Sequence, residues 1–442
     1  MGRFRRATTT IALAACVTSC GAKTQSHPLG DPILVGVTLG LTNAFETLSP
    51  SLRDAIKVAE AQVNAAGGVL GRPIEYRVVD DQSSADGAKA RVTELIAAGA
   101  VAIIGPLGSG QVPQSNGVAK AANTVQISPT ATSIKLNELN GSFLRTTPDD
   151  TYQAKAVVRL GRYGPTGISP ADAGANWVCS RMHIMFVNND YGVSMKDSIV
   201  ESYRVQMQLI PTTTAIEETP KTNYDSDVAA AIFDNPVKPQ CMVLILYDDT
   251  AAPIILSYDK LRKTRNNPVQ YVIGTDGVFT PGFLEKTRLD RQDPLSTVAE
   301  GVIGTNPDTN PSTLEFNDFR SLYHAYHNGI DPDAFAANAY DAAVLIALGI
   351  AQAGTTDPKS VRDALKPVSA GGRPYGPANV AEALRVLQPK KGVAKEDVDY
   401  KGASGDVDFT DATTSVKGAF ITWKVSEGKY ITVEHVGADK LQ

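Results

Sequence analysis

The chain has 442 residues, 43% of them hydrophobic and 20% charged, enough apolar material for large cores and far from the low-hydrophobicity, high-charge signature of disorder. A formal net charge of −5 argues against a nucleic-acid partner, which calls for a basic face. At roughly 100–200 residues per domain, the length predicts two or three domains.

At the N-terminus, Arg3, Arg5 and Arg6 precede a short apolar run from Ile11 to Val17, the pattern of a cleaved signal peptide and too short to span a bilayer. Val17-Thr18-Ser19-Cys20-Gly21 resembles the bacterial lipobox, whose cysteine receives the lipid. Residues 1–19 are therefore read as the signal, Cys20 as the lipidation site and first mature residue, and 20–31 as a tether. An ordinary cleavage site among the same small residues is the alternative. Loss of the three arginines leaves a mature chain of charge −8. No later stretch approaches about 18 consecutive apolar residues, so the lipid is the one membrane attachment the sequence offers.

From Ile33 the chain alternates short β-branched runs with amphipathic stretches. Strand-like Ile33–Leu39, Ile74–Val79, Val101–Gly105 and Thr124–Ser128 are separated by helical Leu52–Ala65, Asp86–Ala98 and Gln111–Ala122. Ile56, Ala59 and Val63 share one helical face, and Gly67-Gly68 marks its end. The run Val101-Ala102-Ile103-Ile104 suits a parallel sheet covered on both faces. The same grammar restarts after residue 150 with helices over Tyr152–Leu160, Ser194–Met207 and Pro253–Lys263, and strands over Ile184–Val187, Met242–Leu246 and Val269–Ile273. Residues 161–176 and 390–397 read as surface insertions. Residues 312–366 are nearly all helical, including an apolar stretch from Ala334 to Ala353. After Gly402 the pattern turns antiparallel-like, ending in Ala419–Trp423 and Tyr430–Val433. The fold class is α/β, with two doubly wound lobes.

Outside the signal, two cysteines remain, Cys179 and Cys241, each just before a strand-like run. In an oxidising compartment they predict one disulfide if those strands are parallel neighbours, stabilising by about 4 kcal/mol in the chain-entropy model; two buried free thiols are the alternative.

In open α/β sheets a ligand lies beyond the carboxyl ends of the strands. Those ends read Gly105-Pro106-Leu107-Gly108-Ser109-Gly110 and Ile127-Ser128-Pro129-Thr130-Ala131-Thr132 in the first half. In the second they read Asn188-Asn189-Asp190-Tyr191-Gly192, Tyr247-Asp248-Asp249 and Gly274-Thr275-Asp276-Gly277. Ser109 and Thr132 are candidate hydroxyl donors to a carboxylate, beside helix N-termini that favour an anion. Asp276, an acceptor-only group at the tip of an apolar strand, suits an ammonium, and Tyr191 offers a flat aromatic face. Together they make a clamp for a zwitterion, closed by a hinge. Taken singly, each of these residues is as readily a helix cap or a turn former. Asp190, Asp248 and Asp249 are read as solvated turn acids.

Signatures of catalysis are missing: there is no G-x-G-x-x-G, no G-x-x-x-x-G-K-[ST] loop, and Ser109 sits in no G-x-S-x-G elbow. His324 and His327 lie three apart on a predicted helix, without a third ligand to complete a zinc set, and read as exposed helix residues. No cofactor and no metal is expected.

The ordered set of Val63-Asn64-Ala65-Ala66-Gly67-Gly68-Val69-Leu70-Gly71-Arg72-Pro73-Ile74-Glu75, Val79-Asp80-Asp81, the two first-half strand ends above, Leu144-Arg145-Thr146-Thr147, Asp190-Tyr191-Gly192 and Gly274-Thr275-Asp276-Gly277 resembles the leucine/isoleucine/valine-binding protein family over residues 33 to about 305. The resemblance implies the type I periplasmic-binding-protein fold: two Rossmann-like lobes with parallel central sheets, joined by three crossing segments near 148–152, 300–306 and 399–404. Lobe 1 would hold 32–150 with 304–400, and lobe 2 would hold 151–303 with 401–442. It also implies a ligand carboxylate held at Ser109, Thr130 and Thr132, with Leu107, Gly108 and Ala131 in the same wall. The ammonium would meet Asp276, and Tyr191 would cover it. That family's usual acid at the Asp276 position is a glutamate. Its first-loop tyrosine is absent here, where Leu48 stands, with Phe45 as a substitute. The function implied is capture of a small amino-acid-like ligand for an ABC permease by an exported monomer. A sensory or scaffold lipoprotein that uses the same fold to bind an amide, aromatic acid, peptide or protein partner is the rival reading.

Overall fold

The computed structural model describes residues 30–164, 179–290, 292–293, 295–308, 312–389, 391–411 and 413–441. The signal segment, Cys20 and nearly all of the 161–176 insertion lie outside the described residues.

In the first half, strands β1 (Ile33–Leu39), β2 (Ile74–Asp80), β3 (Ala102–Ile104), β4 (Val125–Ser128) and β5 (Phe143–Arg145) alternate with helices α1 (Ser49–Ala65), α2 (Ala85–Ala97) and α3 (Val112–Ala121). They form a parallel sheet in the order β2-β1-β3-β4-β5. Every residue of β1 is buried, because helices cover both faces of the sheet and leave no polar side. Helix α1 starts at a proline-bearing first turn and stops before Gly67 and Gly68, whose φ angles of 103° and 74° reverse the chain.

The second half holds α4 (Asp150–Tyr163), β6 (Met182–Val187), α5 (Asp190–Met207), β7 (Thr212–Ile216), the short α6 (Asp225–Val228), β8 (Cys241–Ile245), α7 (Asp248–Arg262), β9 (Tyr271–Gly274), α8 (Pro281–Lys286) and β10 (Ile303–Pro307). The chain then forms α9 (Leu314–Tyr326), α10 (Ala336–Ala353), α11 (Pro358–Ser369), β11 (Arg373–Tyr375), α12 (Val380–Leu387), β12 (Val398–Gly402), β13 (Gly405–Asp406), β14 (Phe420–Ser426) and β15 (Lys429–Val436). The second sheet runs β15-β14-β10-β9-β8-β6-β7, with β14 antiparallel to β10 and to β15 and the remainder parallel. A small third sheet pairs β11, β12 and β13.

Among the described residues, the two largest cores lie one against each of the two large sheets. Helix α10 is apolar and long enough to cross a membrane, yet it is nearly all buried, packed against α1 and α11 in the first core.

The later crossings fall further along the chain than the resemblance implies. Strand β10 pairs in the second sheet, while Phe319 of α9 belongs to the first core, so that crossing lies after Pro307. Ala403, Val407, Phe409 and Val416 also pack in the first core, whereas Phe420 enters the second sheet, so the third crossing is at 417–419. The turn at 402–405 is held inside lobe 1 because the buried Asp341 carboxylate accepts from Tyr400 Oη, the Ala403 and Ser404 amides, and Ser404 Oγ at 2.6–2.8 Å.

Cys179 and Cys241 are joined by a disulfide, their Cα atoms 5.8 Å apart and 62 residues apart in sequence. Strands β6 and β8 are parallel neighbours, with Met182 opposite Cys241, which brings the segment ahead of β6 to the start of β8. Replacing both cysteines by serine should lower the unfolding free energy by about 2–4 kcal/mol, read from urea midpoints.

His324 and His327 do not converge: His324 Nε2 meets Asp331 at 2.7 Å, and His327 Nε2 meets Asp54. Among the described residues, no cluster suits a metal.

Candidate binding cleft

The carboxyl ends of the parallel strands of both large sheets face one another across a narrow cavity. From the first lobe come Ala44, Phe45, Leu48, Leu107, Gly108, Ser109, Thr130 and Phe335. From the second come Tyr191, Tyr247, Asp276, Gly277 and Thr280. Of the eight ligand residues expected from sequence, Leu107, Gly108, Ser109, Thr130, Tyr191 and Asp276 share this wall, while Ala131 and Thr132 are buried behind it.

Hydrogen bonds define what each group has left to offer. Ser109 Oγ accepts from the amides of Thr132 and Ser133, both at 3.2 Å, so its own proton is free to donate into the cavity. Thr130 spends its hydroxyl on Leu107 O at 2.7 Å, and the amides of Thr130 and Ala131 are taken by Ser128 Oγ. Thr130 therefore shapes the wall, and Ser109 is the hydroxyl donor that faces the cavity. Behind the loop, the fully buried Arg145 donates to the carbonyls of Ala131 and Ser133 at 3.1 and 2.8 Å and to Asn137 Oδ1 at 2.7 Å. A side chain at Gly108 would crowd the Phe45 ring, its Cβ falling 3.2 Å from Phe45 Cε2.

In the second lobe, Tyr191 Oη donates to Asp276 Oδ1 at 2.9 Å and meets Thr275 Oγ1 at 2.8 Å. Its hydroxyl is thus committed, and its ring stacks on Tyr247 with centroids 5.5 Å apart. Burial pushes the Asp276 carboxyl up to about 6, against the opposing pull of the Tyr191 hydrogen bond. No cation lies within ion-pair distance of Asp276 among the described residues.

Sequence reasoning missed three residues here. Asp150, at the start of α4, is fully buried behind the cavity wall, where the Ser194 and Thr132 hydroxyls approach its carboxyl. Burial pushes its carboxyl up to about 7; the Asp276 charge pushes the same way, while the hydroxyls of Ser194 and Thr132 and the Arg145 charge oppose. A Thr-Pro-Asp-Asp turn reads as a helix cap, and nothing local marks Asp150 as a neighbour of Asp276. Phe335, 4% exposed, enters the cavity from a left-handed backbone (φ 62°) just before α10, a conformation that is an outlier for a bulky residue. Tyr247 stood at a strand end but was not singled out. Asp248, read as a solvated turn acid, is instead buried and bonded to Lys286 Nζ at 2.7 Å, because α7 begins at residue 248 and turns the side chain inward.

These raised carboxyls fix a sign. Their folded values near 6–7 exceed the unfolded value of about 3.9, so the native state binds more protons than the unfolded state between about pH 4 and 7, and stability falls as pH rises through that window. The unliganded chain should therefore lose thermal midpoint between about pH 5 and 7.5, and the double variant Asp150→Asn, Asp276→Asn should flatten that slope.

Comparisons with known proteins agree with this architecture. The profile of the receptor family ligand binding region matches residues 51–427. The chemotactic signal transduction system substrate-binding protein BasB of Halobacterium salinarum is 23% identical over 406 residues, 89% of this chain and 87% of that protein. The leucine-binding protein LivK of Thermotoga maritima superposes with a TM-score of 0.73 at 16% identity, over 92% of this chain and 99% of that one. A solute-binding protein of an ABC transporter from R. palustris, in complex with 4-hydroxybenzoate, gives 0.69 at 14% identity, over 92% and 97%.

Proposed function

The chain belongs to the receptor family ligand binding region, with the type I periplasmic-binding-protein fold, and from that premise we propose that it captures a small amino acid with an apolar side chain by closing its two lobes around it. One observation carries the reading: the buried Asp276 is the one ionisable carboxyl in a cavity wall that is mostly aromatic and apolar, and no cationic side chain among the described residues pairs with it. A carboxylate without a cationic partner in a low-dielectric site calls for an ammonium. Ser109 supplies the proton donor for the ligand's carboxylate. Phe45, Leu48, Leu107, Phe335 and the Tyr191–Tyr247 stack receive the side chain. An aromatic acid without an amine, such as the ligand of the R. palustris protein, would place its charge against Asp276.

In this reading the protein is exported, held to the membrane by a lipid on Cys20, monomeric, and delivers its ligand to an ABC permease without catalysis. BasB is named as part of a chemotactic system, which supports a second reading, delivery to a signalling partner in place of a permease.

Thermal unfolding of residues 21–442 against amino acids, amides and aromatic acids tests the ligand class. An amino acid present at 100 times its dissociation constant should add about 2.7 kcal/mol, a shift of a few degrees. A shift by benzoates with none by amino acids would overturn the assignment.

A further inference from the structure

The lobes also touch outside the ligand cavity, at the mouth of the cleft. Thr47, between the first-lobe loop and α1, donates to Asp248 Oδ2 of the second lobe at 2.9 Å. Asp248 is a rigid acceptor: Thr280 Oγ1 donates to the same oxygen at 3.1 Å, Lys286 Nζ to the other at 2.7 Å, and its side chain is 2% exposed. Two residues before Thr47, the Phe45 ring stands edge-on to Tyr247, the residue preceding Asp248, with centroids 5.1 Å apart. The approach depends on Gly282 of α8, where a Cβ would fall 2.7 Å from both Thr47 Oγ1 and Thr47 Cγ2 and 2.1 Å from Asp248 Oδ2.

We propose that Thr47, Asp248 and Gly282 form a latch that holds the closed lobes together and sets how long a bound solute is retained. Neither Thr47 nor Asp248 lines the ligand cavity, so the latch acts through the closure equilibrium. Its hydrogen bond joins the two lobes and is lost when they part. A contact made in one state alone biases the equilibrium by its own free energy. Because dissociation requires opening, the effect falls on the off-rate more than on the on-rate. Glycine at 282 is the steric condition for the contact, as any side chain there would wedge the lobes apart.

The latch rests on the proposal that the cleft binds a solute, and the experiment separates the two. Dissociation of radiolabelled leucine is timed from the wild-type chain and from Thr47→Val, Thr47→Ser and Gly282→Ala. Thr47→Val should release leucine about tenfold faster, the scale of one hydrogen bond to a charged acceptor. Thr47→Ser should restore retention, and Gly282→Ala should release leucine at least as fast as Thr47→Val. An unchanged off-rate in Thr47→Val, with the wild type retaining leucine, overturns the latch and leaves the cleft reading standing. If the wild type retains no leucine, that reading fails for leucine, and small-angle scattering of the unliganded chain decides the latch by itself. Thr47→Val should give a larger radius of gyration than the wild type and Thr47→Ser, as the lobes part more often. An unchanged radius in Thr47→Val overturns the latch.

Discussion

Replacing Asp276 by alanine should weaken binding of an apolar amino acid by about 30- to 100-fold, measured by calorimetric titration. Removing one partner of a buried, hydrogen-bonded charge pair costs about 2–5 kcal/mol, much of it from the charge left behind, here the ligand ammonium. Asp150 keeps part of the negative potential, which holds the loss nearer the lower end. Asp276→Asn preserves the shape and the Tyr191 contact but not the charge, and should lose nearly as much affinity. Tyr191→Phe removes the hydroxyl that donates to Asp276 and should cost about 5- to 10-fold. Stability should move the other way. An unpaired buried carboxylate destabilises the empty protein, so Asp276→Asn should match or exceed the wild type in unliganded thermal midpoint, the usual exchange between function and stability at a binding site. A lower midpoint together with undiminished affinity would remove Asp276 from the ligand site.

The βα framework was legible because continuous apolar strands such as β3 and β8 announce a sheet covered on both faces. Strand β7, Thr-Thr-Thr-Ala-Ile, escaped because it is an edge strand with alternate residues exposed, so its sequence is mostly polar. Strand β10, Ile-Gly-Thr-Asn-Pro, reads as a turn by composition, yet it is fully buried between β9 and β14. Its glycine leaves room for Trp423, whose ring atoms would lie within 2.2–2.5 Å of a Cβ at residue 304, a constraint only the packed sheet reveals. In the cleft, Ser109, Tyr191 and Asp276 could be found because strand ends in this architecture converge. Asp150 and Phe335 could not. Asp150 sits behind the cleft wall on a crossing segment, its amide donating to Thr132 O at 2.9 Å, and Phe335 arrives from a helix start far along the chain from the loops it joins. Neither position carries a local pattern that distinguishes it from a cap or a core aromatic.

Arg145 connects the fold to the cleft, and its replacement should be felt in both. A guanidinium with no exposed surface is costly to bury, and burial lowers its pKa while Asp149 and Asp150 hold it up. What retains it is the set of acceptors it satisfies: the carbonyls of Ala131 and Ser133, Asn137 Oδ1, and Asp149 at 4.0 Å. Asn137 Oδ1 in turn accepts from the Thr413 and Thr414 hydroxyls at 2.8 Å, so the same centre ties the wall loop to the chain approaching its last crossing. Arg145→Leu leaves those carbonyls and an aspartate without their donor and should cost about 3–5 kcal/mol in urea unfolding. Lysine brings one ammonium where the structure uses three directed bonds from a planar fork, so Arg145→Lys should recover only part of the loss. Binding separates this role from bulk stability. The Ala131 and Ser133 carbonyls flank the amides that hold Ser109 Oγ, so folded Arg145→Lys should bind its amino acid more weakly, through a Ser109 hydroxyl no longer fixed toward the carboxylate. A conservative core variant remote from the cleft, such as Ile346→Val in α10, should shift stability and leave affinity unchanged. Equal loss of stability in the two variants with undiminished binding in both would show that Arg145 supports the lobe alone.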